Sequence, residues 1–136
     1  MPNAGYSGTP LIRKLGILRG TKVLILNAPG NYFELLETNI HDQLITGKTV
    51  PDLVNLFAKD QAAFLKGMRK VLPLCKKNKR LVIWVSWYKK SSGVKTDLTE
   101  DIIRNFALAQ GLVDIKVCAV SELWSGLKLV VPVSKR

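Results

Sequence analysis

Few of the 136 residues carry side chains suited to nucleophilic or metal chemistry. His41 is the single histidine, and Cys75 and Cys118 lie far apart with no CxxC pair. A zinc site built from four Cys and His ligands needs one more such residue than the chain has, so no metal is expected. A Ser/His or Cys/His hydrolase would have to use His41. The nearest approach to a nucleophile elbow, Gly5-Tyr6-Ser7-Gly8-Thr9, lacks the last glycine of GxSxG and follows no strand. No catalytic residue is assigned. Both cysteines read as small core residues and His41 as a loop residue, which favours binding over catalysis without excluding an enzyme.

Charge points to what is bound. Twenty-one Lys and Arg oppose ten Asp and Glu, a formal charge of +11. Such a field attracts nucleic acid, phosphorylated ligands, anionic lipid or acidic proteins. One cationic group is the run Lys66, Arg69, Lys70, Lys76, Lys77, Lys79 and Arg80, with no acid among residues 66–80. Lys66, Arg69 and Lys70 stand at i, i+3 and i+4, so they share one helix face. A solvated helix face explains them, and a patch reading nucleic-acid backbone or another anionic surface is the functional alternative. No helix-turn-helix, zinc-finger or RNP residues support sequence-specific reading.

The elements that position these groups follow from hydropathy. Residues 22–28 form a continuous apolar run, the pattern of a strand covered on both faces, and predict the centre of a parallel sheet. Asn31 is placed to cap a short helix through Leu36, and residues 38–51 are left open between a loop and a weak strand over 43–46. Residues 52–58 form a second strand. Asp60 caps a helix with apolar positions Phe64, Leu65, Met68, Val71, Leu72 and Cys75, stopped by Pro73 and Lys76-Lys77-Asn78. Residues 81–87 are a third strand. Asp97 and Glu100 have capping-box spacing for a helix that ends at Gly111. Residues 113–120 and 127–133 are strands joined by a turn at 121–126. Residues 1–21 form a Gly/Ser-rich N-terminal segment with a short helix after Pro10, closed by Gly16.

Alternating strands and helices demand right-handed crossovers, and the last two strands are close enough only for a hairpin. The prediction is one α/β domain over 1–136: a three-layer sandwich with a mostly parallel sheet of 5–6 strands ending in an antiparallel member. No apolar run reaches the ~18 residues of a membrane span, and Met1 to Gly5 lacks the regions of a signal peptide. A cytoplasmic protein is the expectation.

Over nearly its whole length the chain resembles a bacterial family of short proteins of unknown function. The residues that carry this are Ala4-Gly5-Tyr6-Ser7-Gly8-Thr9-Pro10-Leu11, Lys14-Leu15-Gly16-Ile17, Leu26-Asn27-Ala28-Pro29, Trp84-Val85-Ser86-Trp87 with Lys89-Lys90, Thr96-Asp97-Leu98-Thr99-Glu100, and Trp124-Ser125-Gly126-Leu127-Lys128. Tyr88 stands where family members usually have proline. The element order also resembles the second half of a class I methyltransferase. That likeness implies S-adenosylmethionine as a possible cofactor, but the glycine-rich turn is reduced to Asn27-Ala28-Pro29-Gly30-Asn31. Glu37 and Asp42, the acids available for a ribose, follow no convincing strand.

Ligands of open α/β sheets bind beyond the carboxyl ends of the strands. That rim gathers Asn27 to Asn31 with Pro29 and Gly30, Lys59-Asp60, Trp87 and Tyr88 with Lys89 and Lys90, and Trp124, Ser125 and Gly126, and Lys128 is expected near the same edge. Aromatic faces beside amides and lysines suit an anionic ligand with a planar, nucleotide-like part. The competing explanation is that Trp87 and Trp124 close the core, Lys89 and Lys90 are solvated, and Asp97 and Glu100 only cap. The leading expectation is a non-enzymatic module binding an anionic ligand or partner at the rim. The alternatives are an S-adenosylmethionine-dependent methyltransferase-like enzyme and nonspecific nucleic-acid binding through residues 66–80. Charge reversal at Lys66, Lys70 and Lys77 is expected to isolate the last.

Overall fold

Three parallel strands and an antiparallel pair make one five-stranded sheet. The structure, a computed structural model, describes residues 9–46 and 48–136. Met1 to Gly8, with most of the Gly5-to-Thr9 motif, and Gly47 lie outside the described residues. The strands are β1 (Val23–Leu26), β2 (Leu53–Phe57), β3 (Val82–Tyr88), β4 (Val113–Ala119) and β5 (Trp124–Val130), in spatial order β1-β2-β3-β5-β4. β1, β2 and β3 are mutually parallel, and β5 inserts antiparallel between β3 and β4.

Helices cover both faces. The long helix α3 (Gln61–Lys77) and α4 (Glu100–Ala109) pack over Val54, Leu56, Ile83, Val85 and Leu127 through Phe64, Met68, Val71, Ile103 and Ala107. On the other face, the short helices α1 (Leu11–Leu15) and α2 (Tyr32–Leu36) bury Leu11, Leu15, Tyr32 and Leu36 against Phe57, Trp84 and Trp124. The three-layer α/β sandwich and its closing hairpin are as the sequence predicts.

Several local expectations change. β1 is an edge strand rather than the sheet's centre, because an unbroken apolar run reports coverage of both faces and not the number of neighbouring strands. Residues 43–46 form no strand. A 3-10 turn over His41–Gln43 leads to a single bridge between Leu44 and Val23. Pro73 lies inside α3, which continues to Lys77 and ends at Asn78. Asn31 occupies the cap position of α2 without a side-chain hydrogen bond. The cap of α4 is Thr99, whose Oγ1 accepts from the Ile102 amide, while Asp97 accepts from the Gln61 amide at the start of α3 (2.8 Å). Trp124, Ser125 and Gly126, expected in a turn, open β5.

Two glycines let the layers close. Gly67 faces Leu56 so closely that a Cβ would stand 2.4 Å from its Cδ1, so any larger residue forces the Leu56 side chain or α3 to shift. Gly126 leaves room for the Trp84 ring, which a Cβ would meet at 3.2 Å.

Candidate functional site

At the carboxyl ends of β1, β2 and β3 the chain leaves a cleft of about 690 Å³. Its floor and one side are the turn Asn27–Gly30, Phe57 and Lys59. The first turns of α3 form the opposite side with Ala63, Lys66, Gly67 and Lys70, and Tyr88 and Trp124 close the end. Lys59, Lys66 and Lys70 are exposed, and no carboxylate lines the cleft among the described residues. Lys66 and Lys70 point the same way because they are one helical turn apart.

The turn after β1 is sharp without a glycine at its first position. Asn27 takes a left-handed conformation, with φ +58°. Asparagine tolerates this region better than other non-glycine residues, and such strain concentrates at ligand sites. Asn27 thus makes the turn that a glycine usually makes. The proline at 29 still removes one backbone donor.

The aromatic wall is layered. Tyr88 stacks on Trp124 with ring centroids 4.2 Å apart, and Phe57 meets Trp124 edge-on at 5.0 Å. Trp124 is buried and Tyr88 is partly exposed, so the ring offered to a ligand is Tyr88 with Trp124 behind it. Beneath the wall a polar group is sealed in the core. The Tyr32 hydroxyl donates to Asn55 Oδ1 (3.2 Å), and Asn55 Nδ2 donates to Ser86 Oγ (3.1 Å) and the Trp84 carbonyl (3.3 Å). Burial pushes the Tyr32 hydroxyl well above its ordinary range.

The expected rim residues divide between two clefts. Asn27, Pro29, Gly30 and Trp124 line the first. Trp87, Lys89, Lys90 and Ser125 line a second, more open cleft of about 880 Å³ between the loop after β3 and the start of α4. Tyr88, facing the α1 layer, lines both clefts, whereas Trp87, facing the α3 and α4 layer, lines only the second. The second cleft also holds Glu100 and Asp101, so its charge is mixed. Burial pushes the Lys89 ammonium below its ordinary range, and Lys14 adds to that while Glu122 opposes it. Lys128 belongs to neither cleft: it registers with Trp84, four residues along β5 from the Trp124–Tyr88 pair, roughly 13 Å down the sheet.

The basic segment divides as well. Lys66 and Lys70 belong to the first cleft, and Arg69, Lys76 and Lys79 line a third of about 610 Å³ near the ends of α3 and α4. Lys77 and Arg80 are exposed and line none of the three. Lys59 and Tyr88, both expected at the rim from sequence, line the first cleft. Reasoning from sequence missed that Lys66 and Lys70 join them there, because it read those two lysines as a solvated helix face or a separate anionic-surface patch. Among the described residues no group of three or more His, Cys, Asp and Glu could hold a metal ion, and no helix is long and apolar enough to cross a membrane.

No family model and no curated protein sequence matches the chain, so the bacterial family suggested by its sequence words is not confirmed. Solved structures do match in fold. A Streptococcus pneumoniae protein provisionally assigned as a tRNA methyltransferase, in complex with S-adenosyl-L-methionine, aligns with TM-score 0.52 and 6% identity over 82% of this chain and 66% of its own. A Streptococcus agalactiae protein of the NADB-Rossmann superfamily gives TM-score 0.48 and 8% identity over 90% of this chain and 68% of that one. LepI in complex with SAM gives 0.46 and 11% over 97% and 49%. The chain has a Rossmann, methyltransferase-like fold and spans just under two thirds of the first of these proteins.

Proposed function

We propose that the protein is a binding module that takes an anionic, nucleotide-like ligand in the cleft beyond β1, β2 and β3. The observation that carries this reading is the lining: Lys59, Lys66 and Lys70 share one cleft with Phe57, Tyr88 and Trp124 and, among the described residues, with no carboxylate. Ammonium groups suit phosphate oxygens, the Tyr88 ring suits a planar base, and the position is where sheets of this class hold ligands.

A second reading, an S-adenosylmethionine-dependent methyltransferase-like enzyme, has the fold likeness in its favour. The residues fit that cofactor poorly. It carries a sulfonium and an ammonium against one carboxylate, so three lysines repel its net charge, and the cleft offers no acid for its ribose.

A thermal-shift series with ADP, AMP, a dinucleotide, inorganic phosphate, S-adenosylmethionine and S-adenosylhomocysteine separates the two. A ligand at about 100 times its Kd adds about 2.7 kcal/mol, which is several degrees for a domain of this size. Shifts with the nucleotides support the module. A shift with the two methionine derivatives alone overturns it in favour of the enzyme. Charge reversal at Lys66 and Lys70 does not isolate nonspecific nucleic-acid binding, because both lysines line the cleft. Reversal at Lys76, Lys77 and Lys79 is the appropriate probe for that third role, and it should leave nucleotide shifts intact.

A further inference from the structure

A separate cationic locus lies on the sheet face that carries α1. Lys116 of β4 registers directly opposite Lys128 of β5, and Lys128 lies opposite Trp84 of β3. Like charges directly opposed across strands are unfavourable unless something neutralises them. A register shift between Asp114 and Lys116 produces the pairing. It turns Asp114 toward α4, where the carboxylate accepts from Arg104 (3.0 Å), and turns Lys116 to the other face. Lys116 Nζ there stands 5.9 Å from the Trp84 ring centroid. With regular alternation Ile115 would take that place.

A third cation approaches from α1. Lys14 Nζ donates to the Ala119 carbonyl (3.3 Å) at the end of the same strand. Cys118 lies between Lys14 and Lys116, opposite Gly126, whose missing side chain leaves its Sγ 3.6 Å from where a Cβ would be. Burial pushes the Cys118 thiol up, while Lys14 and Lys116 both pull it down. Among the described residues no carboxylate forms an ion pair with these cations. The ion pairs among the described residues all use Arg104, on the α4 side of the sheet.

We propose that Lys116 and Lys128, with Lys14 across Cys118, form an anion site separate from the strand-end cleft that takes a phosphate-bearing ligand of more than one phosphoryl group. The paired lysines hold one phosphoryl group on the solvent side of the sheet, outside the buried Trp84 ring. Lys14 meets the second, and the bound anion lies over Cys118.

Cys118 reports on this directly. In a Cys75→Ser background the alkylation of Cys118 by iodoacetamide, a neutral reagent, is followed with inorganic pyrophosphate and with sodium chloride at matched ionic strength. Pyrophosphate should slow alkylation at least about threefold more than the chloride does. The effect should persist in a K66A/K70A variant and disappear in K116A/K128A, with the single variant K128Q standing in if the double variant does not fold. Equal slowing by chloride, no slowing, or slowing that survives loss of Lys116 and Lys128 overturns the site.

Discussion

Asn55 sits fully buried in the middle of β2, bonded to Tyr32, Ser86 and the Trp84 carbonyl. Replacing it with leucine keeps the strand apolar and leaves three buried polar groups short of a partner. Each such loss costs about 1–3 kcal/mol. With the buried leucine offsetting part of that loss, Asn55→Leu should lower unfolding stability by about 2–4 kcal/mol in urea titration, and a loss under ~0.5 kcal/mol would show that the network contributes little. The sequence places Asn55 in a strand but cannot disclose its partners, since Tyr32 and Ser86 reach it only through the parallel pairing of β2 with β3 and the docking of α2. Side-chain direction was similarly half legible. Asn27, Pro29, Gly30 and Trp124 converge because chain order puts them at strand ends. Trp87 and Lys128 depart from the first cleft because of strand parity and register, and β5 begins three residues earlier than apolar patterning suggests.

At the scale of elements, α3 connects the fold to the cleft. It carries Lys66 and Lys70, and Gly67 between them sets how near the helix lies to β2. Alanine favours a helix over glycine by about 1 kcal/mol, yet here its methyl meets a buried leucine. Gly67→Ala should destabilise the protein by about 1–2 kcal/mol net, read by thermal or denaturant unfolding, whereas a stabilised variant would mean that Leu56 yields freely. A second element-level link joins α4 to β4. Arg104 donates to Glu100, Asp101 and Asp114, and its hydrogen bond holds the Asp114 carboxyl below the ordinary value of 3.8. A depressed carboxyl contributes stability that is present above its unfolded value and is lost as pH falls through the folded one. Stability at pH 5 should thus include the Asp114 bond and decline below about pH 4, with a shallower decline in Asp114→Asn. Identical acid limbs for the two proteins would contradict the assignment. Helix boundaries read well where a residue carries the stop itself, as Gly16 and Gly111 do with φ +77° and +82°. They failed where tertiary contact reassigned a side chain, as when Asp97 left α4 to bond the start of α3.

Across the whole molecule, the layer order, the closing hairpin and the strand-end location of a cleft follow from element order and connection lengths, which operate without any motif. The partition of positive charge does not. Lys66, Arg69 and Lys70 read as one helix face with Lys76 to Arg80 extending its charge, and the fold sends Lys66 and Lys70 to the aromatic cleft and Arg69, Lys76 and Lys79 elsewhere. That partition turns a diffuse charge of +11 into a specific expectation about one ligand site. Calorimetric titration of ADP and of S-adenosylmethionine into the wild-type protein and K66A/K70A tests it most directly. ADP should bind the wild type at least tenfold more tightly than the double variant, a difference of about 1.4 kcal/mol, with no heat from S-adenosylmethionine. Equal ADP affinity in both proteins, or binding of S-adenosylmethionine where ADP gives none, would contradict an anionic ligand in this cleft.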